Sequence, residues 1–354
     1  MTKILIDTER LRDLNSGLGQ FCLNLGRELV RQKPEADELT FLTPTGQAEV
    51  FGNTVQYRPT VWWDKLWRSD EFSIWHATHQ DAAYWPSSYT KLILTIHDLN
   101  FLDRPDYSEA KKQRKLTAVQ RTIDQASAIT TISEYTASVL RDRLTLPDVP
   151  LKIIYNGVSK LESSVLVDDL IKIAIASSPF FLYLGVVHPK KNVHTLLPLL
   201  QAFPDYKLVM AGDDAHEYAQ HVHHQAVKLG VADQLIMTGA VYEATKTWLY
   251  ERCEAFLFPS LTEGFGLPVV EAMSLGKPVF LSNLTSLPEI GGRDAVYFNT
   301  FEPDDMVETL RLGMQDFYDD PLKADRLRWR ANRFSWERAA QAYWTLYQEV
   351  AAKR

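Results

Sequence analysis

The chain has 354 residues, 45% hydrophobic, 11% aromatic and 23% charged, which excludes a disordered, collagen-like or coiled-coil protein and suits two domains of roughly 150 residues. A formal net charge of −7 argues against a general nucleic-acid binder. No apolar run reaches the roughly 18 residues of a membrane span, MTKILI enters a strand-like stretch without a cleavage site, and two cysteines, Cys22 and Cys253, suit a reduced cytoplasmic setting.

In chain order, KILID (3–7) predicts a strand, 17–32 a helix and ELTFLTP (38–44) another strand. NSGLGQF puts Gly17 and Gly19 ahead of that helix. The pattern superficially suggests a dinucleotide fingerprint, but Cys22 stands where the third glycine belongs and the next strand does not end in the ribose-binding acid. Five of nine tryptophans (Trp62, Trp63, Trp67, Trp75, Trp85) crowd into 62–85. They read as core or cover, with a sugar-stacking or lipid-facing acceptor surface as the alternative. KLILTI (91–96) is a strand ending in His97 and Asp98, with Asp98 placed to cap the next turn. Residues 111–121 carry five cations on a helix. A solvated face is the simple reading, and peripheral contact with anionic lipid headgroups or a phosphorylated acceptor the other. SAITTIS and LKIIYN close the first half, and 157–178 holds the expected boundary between domains 1–165 and 166–335.

Beyond it, FFLYLGVV, KLVMAG, QLIMTGAV, AFLFPS, PVFLSN and AVYFN alternate with helical patterns. That alternation predicts an α/β protein with two doubly wound parallel sheets. The histidines of HEYAQHVHHQAVKLG (His216, His221, His223, His224) read as an exposed polar helix face rather than a zinc site. In the closing helix, 336–354, Trp336, Ala339, Ala340, Tyr343, Leu346, Tyr347 and Val350 form one stripe that needs a partner surface.

The densest chemistry lies in FPSLTEGFGLPVVEAMSLGKPVFLSN (258–283), a strand, glycine loop, helix and strand. Pro268 suits a first helical turn, and Gly276 before Pro278 a helix stop. Amides of Gly264, Phe265, Gly266 and Leu267 at a helix start can bind phosphate oxygens. Glu263, ending the strand, and Glu271, expected in the first helical turn, can accept bonds from sugar hydroxyls. As bare structure they would be a helix cap and a dipole partner. In HPKKN, Lys191 precedes Asn192, an expected N-cap, and so presents its ammonium at a helix start beside the same sheet edge.

EGFGLPVVEAM, with its E-x7-E spacing, closely resembles the signature of family 4 glycosyltransferases, and SGLGQF, TIHDL, TISEYT, YNGV, HPKKN, SLPEIGG and FSW follow in that family's order. The resemblance implies the GT-B fold: two Rossmann-like domains facing a cleft, the acceptor mostly on 1–165, the donor mostly on 166–335, and the final helix returning to the first domain. It implies a retaining enzyme with a nucleotide-diphosphate sugar as co-substrate, no cofactor and no catalytic metal. By the same resemblance Glu263 contacts the donor sugar and Glu271 the ribose hydroxyls, while Gly264 to Leu267 line sugar and phosphates through their amides. Gly19 lies beside the donor phosphate and acceptor, and His97 lies in the catalytic pocket. The family's Arg-x4-Lys pair neutralises the leaving diphosphate; Lys191 matches its lysine, but Val186 stands at the arginine. Lys190, His188 or loop amides would then supply the missing positive potential. HPKKN and SLPEIGG further resemble bacterial mannosyltransferases of polysaccharide assembly. That implies a mannose donor and a glycan or lipid-linked acceptor, with the enzyme cytoplasmic or peripheral at the inner face of the membrane and no nucleic-acid partner. Two rival readings are a nucleotide-sugar 2-epimerase of the same fold and a non-catalytic sugar-nucleotide-binding subunit.

Overall fold

A computed structural model describes residues 1–14, 16–47, 49–60, 71–104, 107–159, 161, 168–175 and 178–352. Trp62, Trp63 and Trp67 of the tryptophan cluster, and parts of the 157–178 boundary segment, lie outside the described residues. The chain divides into two compact units, Met1–Gly157 with Ser335–Arg354, and Val158–Phe334. The division falls at 157/158 and 334/335, where composition suggested 165/166 and 335/336.

The first unit holds a seven-stranded parallel sheet. Its strands are β1 (Lys3–Asp7), β2 (Glu38–Thr43), β3 (Gln56–Pro59), β4 (Ile74–Ala77), β5 (Lys91–Ile96), β6 (Ala126–Thr131) and β7 (Leu151–Ile153), in the order β3-β2-β1-β4-β5-β6-β7. Central strands are buried almost end to end, as a sheet covered on both faces demands, while β3 and β7 at the edges are partly exposed. Strand β4 sits beside β1 yet is hard to read from sequence, because IWHA is short and carries a histidine. Trp75 on it is core, 1% exposed, rather than a stacking platform, and Trp85 packs against the same cluster.

Helices α1 (Gly17–Arg31), α2 (Glu109–Ile123) and α3 (Glu134–Arg143) each start at a serine whose hydroxyl accepts an amide: Ser16, Ser108 and Ser133. The last helix of the chain (Trp336–Ala352) belongs to this unit, and every residue of its expected stripe is buried. Its Tyr347 hydroxyl is 2.7 Å from His76 Nδ1, and its Tyr343 hydroxyl is 3.0 Å from Thr95 Oγ1. The buried histidine of β4 is thereby satisfied by a helix 271 positions away.

The second unit holds a six-stranded parallel sheet in the order β10-β9-β8-β11-β12-β13. The strands are β8 (Phe180–Leu184), β9 (Lys207–Ala211), β10 (Leu235–Gly239), β11 (Ala255–Phe258), β12 (Val279–Ser282) and β13 (Val296–Phe298). Both sheets reverse direction of growth once, between β1 and β4 and between β8 and β11. At such a switch point the loops leaving the two carboxyl ends diverge and open a crevice.

Candidate functional site

In the second unit, Lys191 follows β8 and Glu263 follows β11, so the switch point brings the two together from 72 positions apart. The Lys191 ammonium forms an ion pair with Glu263 Oε1 and lies 5.0 Å from the centre of the Phe258 ring. Both side chains are mostly buried. The loops behind them are stitched together, with the Leu261 amide 2.8 Å from the Lys190 carbonyl. Lys191 ends a single 3-10 turn, Pro189–Lys191, which His188 caps through Nδ1. The expected cap, Asn192, instead takes a left-handed conformation (φ 57°), and its side chain makes no capping bond. With His188 Nδ1 accepting the Lys190 amide at 3.2 Å and its ring 4.7 Å from that of His216, His188 serves as a capping residue. Val186 is partly buried, and its carbonyl accepts the Tyr183 hydroxyl at 2.9 Å.

The glycine loop ends at helix α8 (Leu267–Ser274), which among the described residues comes after α1 to α3, α4 (Asp169–Ile175), α5 (Leu197–Ala202), α6 (Glu217–Leu229) and α7 (Glu243–Arg252). Gly266 precedes α8 with φ 99°, a conformation only glycine adopts without strain, and no side chain caps the helix. Glu263 is therefore not the cap. Its amide is held by Thr285 Oγ1 at 3.1 Å and its carbonyl by the Ser286 hydroxyl at 3.0 Å. Ser286 also bonds the Phe265 carbonyl at 3.2 Å, so the SLPEIGG segment braces the loop. The Phe265 ring is buried edge-on against Phe334, so the backbone alone of this residue is placed to meet a ligand. Among the described residues no acceptor takes the amides of Gly264, Gly266 or Leu267.

Glu271 is the fifth residue of α8, in its second turn rather than the first. Its Oε1 receives Lys246 Nζ at 2.9 Å and its Oε2 the Tyr250 hydroxyl at 2.9 Å. Both partners stand one turn apart on α7, and no motif in the sequence marks them. The two carboxylates of the E-x7-E block thus each carry their own lysine, Lys191 and Lys246.

In the first unit, His97 leaves β5 and is 5% exposed. Its Nε2 donates to the Thr78 carbonyl at 2.9 Å, so Nδ1 carries the lone pair. The Gln80 side chain accepts the His97 amide at 3.2 Å, and Phe21 meets the imidazole edge-on at 4.7 Å. Burial pushes the His97 pKa down to about 4, so the ring is neutral near pH 7. Asp98 Oδ1 caps the next turn at the Asn100 amide, 2.9 Å away. Gly17 and Gly19 lie inside α1 instead of ahead of it, and the Gly19 amide is taken by Ser16 Oγ at 3.1 Å. A side chain at Gly19 would collide with the Asp13 carbonyl, so this glycine serves close packing.

On α2, Lys112 pairs with Glu109 at 3.0 Å, Lys115 lies 3.7 Å from Asp81, and Lys111 sits over the Tyr107 ring. His221, His223 and His224 are exposed, and His216 caps α6 through the Tyr218 amide. Among the described residues no three His, Cys, Asp or Glu side chains stand together to hold a metal, and no helix is long and apolar enough to cross a membrane.

An ammonium and free amides that suit an anion stand beside carboxylates that suit hydroxyls on one of two doubly wound sheets, and comparison with known proteins makes the chain a glycosyltransferase of the GT-B fold. Family models agree, with "Glycosyl transferases group 1" matching residues 171–334 and "Glycosyltransferase Family 4" residues 15–160. The chain is related to bacterial mannosyltransferases. It is 29% identical over 273 residues to O-antigen chain mannosyltransferase B of Escherichia coli, covering 73% of this chain and 70% of that one. It is 36% identical over 169 residues to the serotype-specific mannosyltransferase WbdA of Escherichia coli, 46% of this chain but 20% of the relative. Anabaena HepE, solved with UDP-glucose, has the same fold at a TM-score of 0.78, with 17% identity over 99% of this chain and all of that one.

Proposed function

We propose that the chain is a retaining, metal-independent mannosyltransferase, taking mannose from a nucleotide-diphosphate donor to a hydroxyl of a glycan or lipid-linked acceptor. The mannose reading rests on the mannosyltransferases it is similar to. The donor belongs to the second unit and the acceptor to the first. The observation that carries the mechanism is the Lys191–Glu263 pair at the β8/β11 switch point beside amides that no acceptor takes among the described residues. As the glycosidic bond breaks, negative charge grows on the departing diphosphate. Lys191 and the amides of Gly264, Gly266 and Leu267 stabilise it by fixed positive potential, and with Val186 in place of an arginine these amides carry a larger share.

Glu263 is tied to Lys191, which suits a role as acceptor for a donor-sugar hydroxyl and disfavours one as free nucleophile. A front-face route follows: the acceptor's hydroxyl oxygen attacks the anomeric carbon on the face from which the diphosphate departs, and the departing phosphate oxygen takes the hydroxyl's proton. Neutral His97 orients the sugar by accepting a hydroxyl bond at Nδ1. The α2 cations give the acceptor's anionic headgroup or a membrane surface a place to dock, at the cytoplasmic face. Phe265 and Gly19 act through the backbone they shape.

A thermal-shift screen with GDP-, UDP- and ADP-sugars tests the reading. A donor at 100 times its Kd should add about 2.7 kcal/mol of stability. Nucleotide release should need acceptor, and should persist in excess chelator. Conversion of the donor to its C2 epimer without acceptor, with no net release of nucleotide, would point to epimerisation, and failure of every donor to shift the melting point would overturn the proposal. Glu271→Ala should raise the donor KM about 10- to 100-fold, the range for a lost charge-assisted hydrogen-bond pair, with the fold kept but the melting temperature lowered, because Lys246 and Tyr250 lose a buried partner.

A further inference from the structure

We propose that Lys246 and Tyr250 are positioning residues that turn Glu271 into a selective acceptor for an intact vicinal diol, so that the enzyme discriminates ribonucleotide donors from their deoxy forms. The inference rests on reading Glu271 as the ribose carboxylate. An ionised carboxylate offers about four lone-pair directions. Lys246 occupies one on Oε1 and Tyr250 one on Oε2, each at 2.9 Å. One direction remains on each oxygen, and that pair matches two neighbouring hydroxyls.

A carboxylate on a glutamate χ3 torsion has a broad, roughly two-fold profile and turns freely unless held. Here both oxygens are fixed from the same helix, by residues four apart on α7. Tyr250 is fully buried and also lies 3.2 Å from the Pro268 carbonyl at the start of α8, so its hydroxyl is fixed relative to that helix. Burial, and then the charge of Glu271, hold its phenol well above the usual tyrosine range, so it stays a donor. Lys246 is anchored again at Glu243, 2.8 Å away. Burial disfavours its ammonium, but the charges of Glu271 and Glu243 outweigh that and keep it protonated. Glu271 remains 15% exposed, enough for a ligand to reach it.

If the two contacts merely tied α7 to α8, losing one would lower stability without changing which nucleotide binds. Isothermal titration of the full chain with GDP and UDP, and with their 2′-deoxy forms, separates the cases. The wild type should favour the ribonucleotide by about tenfold or more, the range for a hydrogen bond to a charged acceptor. Tyr250→Phe and Lys246→Met should each cut that ratio to below about threefold, a substantial fraction of one such bond, chiefly by weakening the ribonucleotide, while Lys246→Arg should retain most of it. In a Glu271→Ala background, adding Tyr250→Phe should change neither affinity. Wild-type ratios in Tyr250→Phe and Lys246→Met, alongside a lost ratio in Glu271→Ala, would overturn the positioning role and leave the ribose reading standing. A full ratio in Glu271→Ala would remove the ribose reading itself. Tyr250→Phe deletes a single oxygen, so it carries the test even if Lys246→Met fails to fold.

Discussion

The carboxyl edges of the two sheets solve opposite electrostatic problems. In the second unit the edge is charged: Lys191 pairs with Glu263, and Lys246 with Glu271. In the first unit the imidazoles of the edge are buried and uncharged: His97 bonds the Thr78 carbonyl, and His79 Nδ1 accepts the Asp81 amide and lies 3.4 Å from the Arg10 guanidinium. Desolvation penalises an isolated charge, whereas a partnered one persists. An edge of lysines and carboxylates suits a diphosphate and a diol, whose charges and hydroxyls replace or share those partners. An edge of neutral imidazole and amide suits a polyol that carries no charge.

Acid should separate the regions most. His76, His79 and His97 have pKa values lowered to about 3, 2 and 4 by burial, against an unfolded value near 6.5. A lowered histidine pKa means stability that is full above about pH 6.5 and lost as pH falls towards the folded value. Asp7, raised to about 7 by burial, works the other way: it stabilises at acid pH and ceases to as pH rises through 7. Near pH 5 the unfolded chain binds more protons than the folded one, because the three histidines outweigh Asp7, so stability should fall on acidification. Hydrogen exchange should show β4 and β5 losing protection between pH 6.5 and 4.5 before β8 and β11 do. Equal loss in both sheets would break the contrast.

Next in size is Lys191→Ala, which should lower kcat about 10²- to 10³-fold, the scale for removing one preorganised charge at a developing anion. Steady-state kinetics at saturating donor measure it, and a change under tenfold would shift the load to the loop amides. His97→Ala should lower kcat about tenfold or more, as for a lost positioning hydrogen bond, while nucleotide affinity moves by less than about twofold. Affinity falling in step with kcat would place His97 on the nucleotide instead. The smallest effect belongs to packing: Trp344→Phe removes the indole bond to the Leu29 carbonyl at 3.1 Å and should cost about 1 to 2 kcal/mol in chemical denaturation, with kinetics unchanged.

Much of this architecture is readable along the chain. Continuous apolar runs such as KLILTI and AFLFPS mark strands buried on both faces, and the spacing from Glu263 to Glu271 marks the loop between. Those features are local, fixed by period and backbone preference, and so they survive without knowledge of the fold. What escaped is non-local. Strand β4 reads poorly because His76 interrupts its apolar face, and it is tolerable there only because Tyr347 and Thr95 satisfy both ring nitrogens. Lys246 and Tyr250 look like ordinary helix residues until α7 is laid beside α8. Gly19 looks like a phosphate-binding glycine until its amide is found on Ser16. Local spacing determined where the reactive groups lie along the chain. Their partners, and hence their charge and orientation, were decided by tertiary packing, because a buried polar group is stable only where distant segments supply its hydrogen bonds.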